Sequence, residues 1–251
     1  MDKYTLKTVF KKSFLGMVWR IEADTSAHLL AVETRDKETG QPSFSAFDYQ
    51  SGVSFIHEKP YGNRNWVLAG VTDRKLIAKA FGQNSPDGAG IACIDVASGD
   101  LLWEQFNYVL VHVGNQQLTV RHRNFAGGYE QHLDITTGNL TQFNKNAGKP
   151  TEADIVLPQR YGHGLPECLA GYPVHGDLFY CQIGPKQLWA FHEARQGSYR
   201  VRMVITSGLT VLADQIILPE LAKMTPELFF MIGQQVFIIS DNKREIVSYL
   251  V

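Results

Sequence analysis

The sequence predicts an all-β fold, a β-propeller of about five four-stranded blades with one long irregular loop segment; four to six blades fit the rhythm. Three observations lead there. Short apolar, β-branched or aromatic runs are punctuated by turn residues along most of the chain. One turn pattern occurs three times, at Asp48–Gly52, Asp95–Gly99 and Asp134–Gly138: an apolar residue, Asp, three residues, and Gly preceded by Ser or Thr. The Asp residues stand 47 and 39 positions apart, close to the repeat of about 40–50 residues that four-stranded blades show.

The clearest copy lies in Ile91–Trp103. A short Asp side chain accepts hydrogen bonds from backbone N–H groups just ahead of it and closes a turn locally. Gly supplies the positive φ the reversal needs. Ile91–Ile94 and Leu101–Trp103 then read as paired strands. This stretch resembles the repeat of quinoprotein-type β-propellers, Ala-x-Asp-x-x-Thr-Gly-x-x-x-Trp, through Ile94, Asp95, Ser98, Gly99 and Trp103. The flanking copies carry Ile56 and Gln142 where the tryptophan would stand. Two weaker copies fall at Ala190–Gly197, with His192 in place of Asp, and at Ile239–Asp241, with Tyr249 at the aromatic offset. The resemblance implies blades locked by Asp48, Gly52, Asp95, Gly99, Trp103, Asp134 and Gly138. Large quinoprotein dehydrogenases bind a quinone and calcium. No residue here matches such a site, so no cofactor is expected. The chain also resembles small propeller-like bacterial proteins of an uncharacterised family, which brings no activity with it.

Composition narrows the partners. In 251 residues, 24 Lys and Arg face 25 Asp and Glu, a net charge of −1. That balance carries no electrostatic footprint for nucleic acid or an anionic membrane. Lys3, Lys7, Lys11 and Lys12 read as a solvated face. A chain of this length buries about 70–75% of its unfolded surface without disulfides or metal. Three cysteines, Cys93, Cys168 and Cys181, fit reduced thiols and a cytoplasmic location. The N-terminus shows no apolar signal region. The longest apolar candidate, Leu228–Ser240, is interrupted by Gly233-Gln234-Gln235, so no membrane span is expected. A monomer is expected.

Taken in order, a single domain over 1–251 divides into units near 27–59, 66–106, 108–143, 177–209 and 212–251. A strand within 1–25 closes the ring, which would leave no open sheet edge. Residues 144–176, broken by Gly and Pro, form the irregular segment. Pro219–Met224 reads as a short helical turn.

Candidate chemistry is sparse. His163, Cys168 and His175, with Cys181 nearby, are zinc-competent residue types, but their spacings are not those of a finger or ribbon. Structural roles explain them better, and no metal is expected. His122 and His132 read as solvent-facing strand residues. There is no nucleophile elbow or phosphate-cradling loop. Glu33, Asp73 and Glu167 are candidate carboxylates for glycoside hydrolysis at a tunnel mouth, unpaired by sequence. Arg64 and Trp66, and Arg160 and Tyr161, combine Arg with an aromatic in Gly-containing turns, the residue types that anchor interfaces. The sequence therefore favours a non-enzymatic binding or scaffold propeller, used as WD40-like discs are, for an unknown protein or small ligand. A small carbohydrate-active or other hydrolytic enzyme is the alternative.

Overall fold

The computed structural model describes residues 5–81, 88–125, 128–144, 155–226 and 228–251. The expected exposed loop over 83–88 falls almost wholly outside them, as do the turn at Gly127 and most of the polar stretch 144–152. The described residues form five antiparallel sheets, and among them the one helical element is a 3₁₀ turn at Glu167–Leu169. This is the all-β, blade-by-blade topology of a β-propeller. The residues fall into two compact units, 14–154 and a second made of 1–13 with 155–251.

The strand β1 (Lys7–Ser13) belongs to the second unit. The unit 14–154 holds three meanders: β2 (Met17–Asp24), β3 (Leu29–Arg35), β4 (Pro42–Asp48) and β5 (Ser54–Pro60); β6 (Trp66–Thr72), β7 (Lys75–Phe81), β8 (Gly88–Asp95) and β9 (Leu101–Gln105); β10 (Tyr108–Val113), β11 (Gln117–His122), β12 (Gln131–Asp134) and β13 (Leu140–Thr141). The strands expected at Ile91–Ile94 and Leu101–Trp103 lie in β8 and β9. Burial is heaviest in the middle strands: every residue of β3 is buried. Leu29, Ala31, Phe44, Leu68, Leu76 and Ile94 pack the first sheet on the second; Ile77, Ile91, Cys93, Leu118 and Leu133 pack the second on the third. The Cys93 thiol is fully buried, which pushes its pKa up to about 12, and it meets the Ile135 carbonyl at 3.4 Å.

The repeated turns close as their residue types dictate. Asp48 Oδ1 accepts from the N–H groups of Gln50 and Ser51 and from the Ser51 hydroxyl, at 2.7–3.0 Å. Asp134 Oδ1 does the same with Thr136 and Thr137, and an Asp95 carboxylate oxygen accepts from Ser98 N–H at 2.8 Å. Gly52, Gly99 and Gly138 sit at φ of 76°, 73° and 69°. The same arrangement recurs at Asp36–Gly40, where Asp36 Oδ1 accepts from Glu38, Thr39 and the Thr39 hydroxyl.

Two of these turns, Asp95–Gly99 and Asp134–Gly138, are also landing places for the preceding sheet. Trp103, on β9, donates from Nε1 to the Ile135 carbonyl at 2.9 Å and lays its ring on Gly138. Gln105 donates to the Gly138 carbonyl at 3.1 Å. One sheet earlier, Lys59 donates to the Gly99 carbonyl, and Ile56, at the tryptophan position, lies beside Gly99. The quinoprotein-like residues thus join sheet to sheet.

The second unit contains β14 (Ile155–Val156), β15 (Gln159–Arg160), β16 (His175–Ile183), β17 (Lys186–Arg195), β18 (Ser198–Ser207), β19 (Thr210–Leu221), β20 (Phe230–Ile232), β21 (Gln235–Ile239) and β22 (Glu245–Leu250). Its sheets run β15-β16-β17-β18-β19 and β1-β22-β21-β20-β14. The first strand of the chain therefore pairs with the last, Lys7 opposite Leu250 through Ser13 opposite Glu245. Two boundaries differ from the sequence reading. The first sheet begins at Met17 rather than 27. Residues 212–221 lie in the fourth sheet, as its outer strand, and not in a fifth unit; Pro219 continues that strand instead of starting a helix. An edge strand tolerates Pro because its outward N–H has no ladder partner to lose. The Ala190–Gly197 copy is not an Asp turn: His192 lies within β17, and Gln196-Gly197 makes a tight hairpin.

A buried charge cluster stiffens this unit. Glu193 accepts from Arg200 and Arg202, Arg202 reaches Asp214, and Tyr172 donates its hydroxyl to Asp214 at 3.0 Å. Burial, and then the Asp214 acceptor, push Tyr172 up to about 12. Nearby, buried His192 accepts from the Thr225 N–H at Nε2, at 3.2 Å. Its pKa is lowered by burial first and by His175 second. The unfolded chain therefore binds a proton that the native state resists, so stability falls as pH drops through about 6.5. His192→Gln should flatten the decline in urea midpoint between about pH 7 and 5; an unchanged slope would show that His192 titrates alike in both states.

Candidate functional site

The first strands of the three meanders in unit 14–154 share one irregularity. Each carries a β-bulge near its middle. Val18 pairs Thr34 and Arg20 pairs Glu33, leaving Trp19 extra; Ala69 and Val111 are the extra residues on β6 and β10. A bulge bends the strand and re-aims the side chains that follow. At the next position stand Arg20, Gly70 and His112, and two residues on, Glu22, Thr72 and Gly114. These alternate positions point the same way along a strand.

They line one cavity of about 360 Å³, closed on one side by Lys79 from β7. A Cβ at Gly70 would stand 3.2 Å from the Val113 side chain, so glycine there lets β6 come close to β10. Arg20 donates from Nε to Glu22 Oε1 at 2.7 Å, and its remaining guanidinium nitrogens make no hydrogen bond among the described residues. Lys79 makes no ion pair among them; its ammonium lies 5.5 Å from the Phe81 ring. Burial raises the Glu22 pKa, with Arg20 and then Lys79 opposing that rise. The Thr72 hydroxyl donates to the Asn115 carbonyl at 3.2 Å. His112 Nε2 is buried with no hydrogen-bond partner, the kind of group that gains most from one. The lining holds two cations, one carboxylate, a hydroxyl and an imidazole. It offers one carboxylate, whereas acid–base glycoside cleavage takes two.

The residues singled out from sequence lie elsewhere. Arg64 is exposed, but its carbonyl accepts from Arg35 at 2.6 Å. Trp66 is buried, edge-on to Tyr61 at 5.0 Å and to Phe106 at 6.4 Å. It is a packing residue, not an exposed anchor, because the chain at Gly62 comes close enough for its ring to cover. Arg160, in the other unit, is exposed and pairs with Asp177 at 2.7 Å. Tyr161 is half-buried, edge-on to Trp189 at 5.1 Å and beside His163 at 5.3 Å. His175 lies against Tyr199 at 5.6 Å, and Cys168 packs beside the cluster around Leu169 and Phe191. Among the described residues no group of three His, Cys, Asp or Glu could hold a metal ion. Glu33 is sealed inside an ion pair with Arg35, Asp73 sits in a hairpin paired to Lys75 at 3.0 Å, and Glu167 is exposed on the 3₁₀ turn. No carboxylate named from sequence reaches the cavity. The missed signal was comparative: Trp19-Arg20, Ala69-Gly70 and Val111-His112 are equivalent only once the bulges align them.

The fold and cavity define a β-propeller repeat protein with a polar pocket framed by bulges. Residues 23–103, about the first two sheets, match the family described as "Domain of unknown function (DUF4905)". No curated protein matches the chain. Among solved structures, BamB from Moraxella catarrhalis is similar at 9% identity over 98% of this chain and 100% of that one, TM-score 0.25. The uncharacterised protein lmo1340 from Listeria monocytogenes EGD-e is similar at 9% over 95% and 84%, TM-score 0.35. A europium-containing methanol dehydrogenase is similar at 12% over 96% of this chain and 52% of its own, TM-score 0.31. The sheet topology, rather than these likenesses, defines the fold. No helix among the described residues is long and apolar enough to cross a membrane.

Proposed function

We propose that this protein is a non-enzymatic binding module whose cavity among β2, β6 and β10 takes a small polar ligand. The observation that supports it is the triple bulge, after which Arg20, Gly70 and His112 line one space. A cavity of about 360 Å³ lies in the range of small-molecule sites, about 300–1,000 Å³. Rigid strands hold its polar groups, so little order is lost on binding.

Saturation-transfer NMR of a small polar fragment set tests this. Several fragments should bind the wild type and be lost in Val111→Trp, which fills the cavity from an exposed strand position. An empty screen, or hits that persist in Val111→Trp, would overturn the reading. The hydrolase alternative predicts turnover of aryl glycosides that Glu22→Gln abolishes.

A further inference from the structure

We propose that the ligand of this cavity is a small monocarboxylate, held by the free guanidinium edge of Arg20 and the ammonium of Lys79. This rests on the cavity being a ligand site. The charge count carries it. Arg20 and Lys79 bring two positive charges and Glu22 one negative, so the lining is one negative charge short. Arg20 spends only its Nε on Glu22, which leaves the planar N–H pair that suits a carboxylate bidentately. Lys79 adds a point charge that feels Glu22 but makes no ion pair among the described residues. A neutral ligand would leave that surplus partly desolvated and uncompensated, and a cation would add to it. A phosphate monoester, near two negative charges, would overshoot and meet Glu22 as well.

Among the described residues the charged or titratable groups facing the site are Arg20 and Glu22 from β2, Lys79 from β7 and His112 from β10. Glu22 is the one group opposing an anion. Its raised pKa means that mild acid neutralises it sooner than an exposed glutamate. Carboxylate affinity therefore rises as pH falls toward the usual Glu range, while the ligand stays ionised.

Isothermal titration with D-glucuronate, D-glucose and D-glucosamine, alike in size and different in charge, tests the assignment, with glucose 6-phosphate as a fourth arm. Glucuronate should bind most tightly, Arg20→Gln and Lys79→Gln should each weaken it about tenfold, and Glu22→Gln should tighten it about fivefold. The cavity-filling Val111→Trp should abolish binding of any member. Equal or tighter binding of glucose or glucosamine, lost in Val111→Trp, overturns the monocarboxylate and leaves the ligand site standing. Tighter binding of glucose 6-phosphate overturns it in favour of a dianion. If none of the four binds and the fragment screen is empty too, both readings fall; if the screen yields hits with no carboxylate among them, this one alone does.

Discussion

Glu33→Ala lowers the stability of the protein by about 3–5 kcal/mol. Glu33 is fully buried, and both its oxygens are engaged: Oε1 accepts from Arg35 Nε at 2.6 Å and Oε2 from the Leu68 N–H at 2.7 Å. Arg35 in turn donates to the carbonyls of Gly40, Arg64 and Trp66 at 2.6–2.8 Å. The pair thus ties β3 to the entry of the next sheet. Taking away the carboxylate strands a buried guanidinium and an unpaired backbone N–H, and the desolvation of both is then uncompensated. Replacing both residues with methionine should recover only the part due to the orphaned guanidinium, because the Leu68 N–H and the carbonyls of Gly40, Arg64 and Trp66 lose their side-chain partners as well. Urea unfolding followed by tryptophan fluorescence reads both variants. An unchanged midpoint in Glu33→Ala would mean that water reaches Arg35.

Gly138→Ala has the second large effect, and Trp103 decides its size. Gly138 adopts φ 69°, where an L side chain costs about 1–2 kcal/mol. A Cβ there would also stand 2.6 Å from Cδ2 of Trp103, so the indole must leave its seat and its hydrogen bond to Ile135. The sum should reach about 3–4 kcal/mol. Trp103→Ala alone should cost about 2–4 kcal/mol, at or below the range for a core tryptophan, because the ring is only half-buried. The double variant separates the contributions. Without the indole the clash is gone, so Gly138→Ala should cost only the backbone strain, and the two changes should sum to less than their parts. Strict additivity would show that Trp103 does not rest on Gly138.

These effects sort what was legible in the chain. The Asp–x–x–Ser/Thr–Gly turns were legible because their chemistry is local: a carboxylate, two N–H groups and a left-handed glycine lie within five residues. Legibility of the turn did not extend to its place. Asp36–Gly40 builds the same turn between β3 and β4, where the sequence reads as a polar hairpin loop and not as a further copy of the motif. Strand existence is legible from β-branched and aromatic runs, but residues 212–221 read as part of a fifth unit, with Pro219–Met224 as a helical turn, because the edge position that tolerates Pro219 exists only in the sheet. Trp66 looked like an interface anchor because aromatic residues in Gly-rich turns serve both packing and binding, and only its neighbours Tyr61 and Phe106 distinguish the two. Glu33 looked like a spare carboxylate because its partner two residues on, Arg35, would point to solvent in a one-sided sheet; here both faces of β3 are covered.

The amino-acid sequence by itself determined that the chain folds as repeated antiparallel sheets, since turn closure and strand preference act over a few residues. It also determined the charge balance and the seating of Trp103 in the repeat. The tertiary structure alone decided the candidate site. Arg20, Thr72 and His112 are far apart in the chain, and each looks unremarkable in its own strand. They meet because a one-residue bulge recurs at Trp19, Ala69 and Val111. A bulge is a relation between two paired strands, and its register exists only once the sheet has formed.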